Sequence, residues 1–121
     1  MELFSTYYRK FVPDMGEPVQ ISNGRPRFRT GYLLKYKIDL LCPRWSLVSG
    51  NVPVDEFRRV YWSDLDKLGV EKIRAAFDTV ADLSGQDKLV LMCFEKEVSD
   101  CHRGDFAMWW KQATGEKITE L

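Results

Sequence analysis

A chain of 121 residues is long enough for one domain around one buried core and too short for two independent ones, so 1–121 reads as a single unit. Its 45% hydrophobic and 30% charged residues fit a folded globular protein and not a disordered one. Eighteen basic side chains balance eighteen acidic ones, which excludes attachment to nucleic acid or membranes through net charge alone.

From the N-terminus, Leu3–Tyr8 is short, aromatic and β-branched and reads as a first strand, and Val19–Ser22 as a second, stopped by the turn pair Asn23-Gly24. Arg25 to Gly31 alternates arginine with Pro26, Phe28 and Thr30 and reads as loop. In Tyr32–Leu41, Leu33, Tyr36 and Leu40 recur at helical spacing and predict one or two helical turns, ended by Cys42-Pro43. Pro53 opens a helix whose stripe is Val54, Phe57, Tyr61, Leu65 and Leu68, with Gly69 as its stop. Ile73, Ala76, Phe77, Val80 and Leu83 mark a second helix closed by Gly85.

Lys88–Glu95 carries an unbroken apolar run, the pattern of a central strand covered on both faces. A last helix is expected from about Cys101 to Ala113, with Asp100 as N-cap, Phe106, Trp109, Trp110 and Ala113 on its apolar face, and Gly115 past its end. Adjacent tryptophans cannot both face one core, so one of Trp109 and Trp110 is expected to be partly exposed and free for self-association. The order of elements predicts a small single-domain α/β fold with a mainly parallel central sheet flanked by helices.

No window nears the roughly 18 apolar residues of a membrane span, and the first residues lack the basic start and apolar centre of a secretory signal. With three cysteines, an odd count, the expectation is a cytoplasmic protein with free thiols and no membrane association.

In open α/β sheets ligands bind beyond the carboxyl ends of the strands. That rule gathers Ser5–Tyr8, Ser22–Arg25, Glu95 and Cys101-His102-Arg103 at one edge. Cys101, placed in a first helical turn, would gain thiolate character from the helix dipole and serve as nucleophile, with Glu95 and His102 as proton-transfer partners. Arg103, Arg25, Ser22, Gly24 and Tyr7 would hold an anion. A packed, unreactive Cys101 is the bland alternative.

Cys93, Glu95, Cys101 and His102 offer zinc-ligand types, but the spacing is irregular and lacks a C-x-x-C pair, so no metal and no cofactor is assigned, and a metal-binding site at this Cys/His cluster stands as a second alternative function. The expected partner is a small phosphorylated or nucleotide-type ligand. The alternative rests on Arg25, Arg27, Arg29, Lys35, Lys37 and Arg44, which face only Asp39 in their stretch. Interleaved with aromatics, segment 25–45 would suit a non-catalytic module gripping nucleic acid or a partner protein.

Ile21, Ser22, Gly24, Pro26 and Phe28, then Tyr36, Asp39, Leu40, Pro43 and Trp45, then Phe57 and Tyr61, and above all Leu91, Cys93 and Glu95 followed by Cys101-His102-Arg103, resemble the bacterial and archaeal family called domain of unknown function 488. The resemblance implies an α/β fold and a site at Cys93, Glu95, Cys101, His102 and Arg103, faced by the loop Ser22, Gly24 and Arg25. It implies no activity, since none is assigned to that family.

Overall fold

The computed structural model describes residues 1–121. Five strands form one all-parallel sheet in the order β3-β2-β4-β1-β5: β1 (Glu2–Tyr7), β2 (Glu17–Gln20), β3 (Tyr36–Lys37), β4 (Lys88–Cys93) and β5 (Thr119–Glu120). β4 enters between β2 and β1, with Val19 and Ser5 both in register with Leu91. All carboxyl ends therefore lie along one edge. The chain leaves β2 toward β3 and leaves β4 toward β5, on the opposite flank. The crevice between β2 and β4 is thus a switch point, the place where α/β sheets bind ligands.

The apolar run of β4 works as expected, with both faces covered. Leu89 and Leu91 join Leu3, Val19 and Ile21 in the main core, against Tyr61 and Leu65 of α2 (Val54–Leu68), Ile73, Phe77 and Val80 of α3 (Val70–Ser84), and Phe106, Trp109 and Trp110 of α4 (His102–Thr114). Val90 and Met92 point the other way, where Tyr8, Phe11 and Leu34 cover them from loops, not from helices. The short helix α1 (Trp45–Val48) and the strand β5 were not expected, being too brief to show periodicity. Gly69 alone joins α2 to α3, at φ 85°, a conformation that favours glycine.

Several expectations need correction. Tyr32–Leu41 is not helical: Tyr36 and Lys37 pair in parallel with Val19 and Gln20, a 3₁₀ turn follows at Asp39–Leu41, and the buried residues are Leu34, Ile38 and Leu41, while Leu33 is exposed. β2 runs Glu17–Gln20, so Ile21 and Ser22 lie just beyond it, and β4 stops at Cys93. The expected helical stripes overreach at Val54 and Leu83, both exposed. Trp109 and Trp110 are both buried. Their indole N–H groups donate to Asp66 and Glu116, so α2 and α3 cover the face that was expected to stay open.

One charge lies inside this structure. The Arg103 side chain is fully buried, and its guanidinium donates from Nε and Nη2 to the Glu120 carboxylate at 2.9 to 3.2 Å, tying α4 to β5. Ser5 of β1 adds a hydroxyl bond to the same carboxylate. Removing one member of such a pair strands the other charge without a partner, at about 3 kcal/mol or more. Glu120→Ala is expected to lower unfolding free energy by about that amount in urea titrations. The apolar pair Arg103→Met with Glu120→Leu is expected to recover a large part of it. Equal stability of Glu120→Ala and the unsubstituted chain would contradict a structural role for the pair.

Candidate functional site

The edge where the strands end carries a cavity of about 360 Å³. Ser22, Asn23 and Gly24 line it after β2, Cys93, Phe94 and Glu95 at the end of β4, Asp100, Cys101 and His102 at the start of α4, and Pro43, Trp45, Leu47, Val48 and Phe57 from the far wall. An adjoining cleft of about 500 Å³ shares Gly24 and Phe94 with it and is lined by Tyr8, Arg9, Arg25, Arg27 and Phe28. The expected convergence of the Ser22–Arg25 loop with the Cys101-His102 segment is what the chain adopts. The charges divide between the two hollows: the first holds Glu95 and Asp100 and no lysine or arginine, the second three arginines and no carboxylate.

Cys101 is the N-cap of α4 at φ −129°, ψ 144°, outside the helix that begins at His102, and Asp100 belongs to a preceding 3₁₀ turn, Val98–Asp100. Cys101 is paired with Cys93 in a disulfide, which corrects the expectation that these thiols are free. The remaining thiol, Cys42, donates to the Ile38 carbonyl, and burial pushes its pKa up to about 11, away from nucleophilic use.

Arg103 does not face the cavity. Besides Glu120, its N–H groups donate to the Glu95 carbonyl at 2.6 Å, the Lys96 carbonyl at 3.1 Å and the Cys93 sulfur at 3.3 Å. Its donors are spent on the protein, so the anion-holding part expected of it is not available; it braces the loop that carries the cysteines. Tyr7 likewise lies under the Arg103 guanidinium, 6.0 Å from ring centroid to carbon, and lines neither hollow. Ser22 reaches the cavity wall, but its hydroxyl is committed to Tyr8 at 2.6 Å and to the Gly24 carbonyl at 2.8 Å. Glu95 stands exposed at the mouth, not enclosed.

His102 is oriented from both sides. Its Nε2 lies 2.6 Å from the Ile21 carbonyl, which only accepts, so Nε2 carries the proton and Nδ1 presents a lone pair. That lone pair points toward Cys101 Sγ, 3.9 Å away, and the Tyr61 ring stands edge-on to the imidazole. Burial, with the neighbouring Arg103 charge, lowers its pKa to about 4 against the opposing pull of the Ile21 hydrogen bond, so the ring is neutral at physiological pH. The Cys93 and Cys101 sulfurs and the His102 ring nitrogen all lie within 4.8 Å of one another.

The basic pole is smaller in space than in sequence. Arg44 is paired with Asp64 and Lys37 with Asp39, while Arg25 donates one N–H to the Leu34 carbonyl and keeps the rest of its fork toward the cleft. Arg9 stacks over Phe28, 4.0 Å from its centroid. Phe94 and Trp45 are 44% and 68% exposed at the mouth, Phe94 packing one side of its ring edge-on against Tyr8, 4.9 Å between centroids. Arg9 and Phe94 were absent from the expected site. Their one sequence signal is position: each stands within two residues of the end of a strand.

A family model described as "Domain of unknown function DUF488" matches residues 42–109. The matched region holds Cys93, Glu95, Cys101, His102 and Arg103 and leaves out β1, β2 and the arginine cleft. No curated protein and no solved structure matches the chain.

Gly104 makes the packing of this site possible. A methyl there would lie 2.5 Å from the Val98 carbonyl oxygen, so the first turn of α4 seats directly on the loop that leads into Cys101. Gly24, by contrast, leaves open space, with no atom within 4 Å of where a methyl would stand, and it is not in the left-handed region. Gly104→Ala is expected to cost about 1 to 3 kcal/mol in urea unfolding, the usual range for overpacking, and Gly24→Ala less than about 0.5. Equal midpoints for the two variants would show that the Val98–Cys101 loop does not rest on α4.

Proposed function

Since the chain belongs to the family of the domain of unknown function DUF488, whose description assigns no activity, we propose from its own geometry that it is a small enzyme-like protein binding a phosphorylated or nucleotide-type ligand across the carboxyl edge of the sheet. The observation that carries this reading is the joining of two unlike hollows through Gly24 and Phe94. The anionic group lies among Arg9, Arg25 and Arg27, whose planar forks suit phosphate oxygens. A flat ring lies against Phe94 and Trp45, and the far end of the ligand meets the cluster of Cys93, Cys101 and His102. The size of the main cavity is that of small-molecule sites. In a cytoplasmic setting, where thiol pools are reducing, the cysteine pair would be delivered as two thiols.

A nucleoside monophosphate and inorganic pyrophosphate serve as probes in calorimetric titration. Replacing Arg9, Arg25 and Arg27 together by glutamine is expected to weaken both at least tenfold, and Trp45→Ala to weaken the nucleotide alone. Unchanged affinities, or no saturable binding to the unsubstituted chain, would refute the reading. Affinity that grows with the length of a single-stranded oligonucleotide and falls steeply with salt would instead favour a nucleic-acid module.

A further inference from the structure

Three metal-ligating atoms converge at the end of β4. Cys93 closes the strand, Cys101 caps α4 and His102 opens it, and their sulfur and nitrogen atoms lie within 4.8 Å of one another. A tetrahedral zinc with bonds of about 2.3 Å to sulfur and 2.0 Å to nitrogen needs ligand atoms roughly 3.5 to 3.8 Å apart. The 3.9 Å from Cys101 Sγ to His102 Nδ1 is already near that value. The Cα atoms of Cys93 and Cys101 are 7.0 Å apart, at the outer limit of what a disulfide spans, so the sulfurs have room to part once reduced.

The surroundings fit a metal better than a buried thiol pair alone. Metal-bound histidines donate their other ring N–H to a carbonyl or carboxylate, and the His102 bond to the Ile21 carbonyl does this, leaving Nδ1 as the donor atom to the ion. The Arg103 N–H that reaches Cys93 is the charge-assisted contact that stabilises a thiolate, and its charge is balanced by Glu120 outside the cluster. All three ligands line the main cavity, and so do Glu95 and Asp100. The two thiolates cancel the charge of a divalent ion, and the imidazole adds none.

We propose that Cys93, Cys101 and His102 form a zinc site with its fourth position open to the cavity. The disulfide is the oxidised, metal-free form of the same residues. A phosphine opens it by giving up two electrons and becoming the phosphine oxide, with water supplying the oxygen and the two thiol protons; zinc then displaces those two protons to solvent as it binds. The reverse step pairs the sulfurs, passes two electrons to a diazene oxidant that takes two protons from water to become a hydrazine, and releases the ion. The fourth position is where the far end of the ligand would arrive, but the site itself does not rest on the ligand reading. Zinc can bind whether or not phosphate does.

The full chain, reduced with a phosphine and freed of metal, is titrated with cobalt(II) as a spectroscopic stand-in and then with zinc. One cobalt per chain is expected, with a thiolate-to-cobalt charge-transfer band that zinc abolishes. Cys93→Ser and Cys101→Ser are each expected to lower affinity at least a hundredfold, and His102→Ala at least tenfold, while Cys42→Ser changes nothing. Circular dichroism identifies any variant that fails to fold. A second measurement needs no substitution: adding a diazene oxidant to zinc-loaded protein is expected to release one zinc per chain to a chromophoric chelator. Absence of the charge-transfer band in the reduced chain, retention of zinc after oxidation, or dependence of the band on Cys42 would overturn the proposal. Nucleotide binding in the metal-free protein would separate failure of the zinc site from failure of the ligand reading.

Discussion

The structure turns on the burial of Arg103. A guanidinium out of contact with water has to have a counter-charge and a partner for nearly every N–H. Glu120 supplies the first, and the carbonyls of Glu95 and Lys96 with the Cys93 sulfur supply most of the second. These bonds run from one side chain on α4 to the end of β4, to the loop after it and to β5. The loop is otherwise exposed and has little apolar material of its own. Its conformation is set from below by a charge that has nowhere else to go. Cys93 and Cys101, at the two ends of that loop, are held together as a consequence.

The second constraint is topological. Because every strand runs the same way, all the loops with chemical potential emerge along one edge, and insertion of β4 beside β2 leaves the crevice there uncovered by a crossover connection. The edge is electrically divided. Sulfur, imidazole and carboxylates lie on one side of Phe94 and arginines on the other. A molecule long enough to touch both would be read at two ends by unlike groups, which is the arrangement by which a small cavity gains both affinity and orientation. The helices take no part in that contrast except where α4 begins. They cover one face of the sheet, α1 and Phe57 of α2 adding an apolar wall to the cavity, and their packing through Phe77, Phe106 and Trp110 is apolar.

What could be read from the residues beforehand follows the length of the signals. Two long amphipathic helices, with Gly69 and Gly85 as their stops, and a fully apolar strand leave a strong periodic trace. The pairing of Tyr36 and Lys37 with β2 leaves none, since two residues cannot show alternation, and chance placement of Leu33, Tyr36 and Leu40 imitated a helix. β5 was invisible for the same reason. At the site, Cys101, His102 and Glu95 were gathered by the rule for strand ends, and Ser22 and Gly24 with them. Arg103 was misjudged because sequence shows a charge but not its counter-charge, and Glu120 is far along the chain. Phe94 was hidden inside an apolar run that looked like continuous core, although the strand ends one residue before it.

Cys93, Cys101 and His102 form a single constellation, braced by Arg103 and open toward the cavity. X-ray absorption at the zinc edge of the reduced, metal-loaded chain tests this most directly. Two sulfur scatterers near about 2.3 Å with nitrogen and oxygen near about 2.0 Å are predicted. A shell of nitrogen and oxygen alone, or of four sulfurs drawn from two chains, would contradict it.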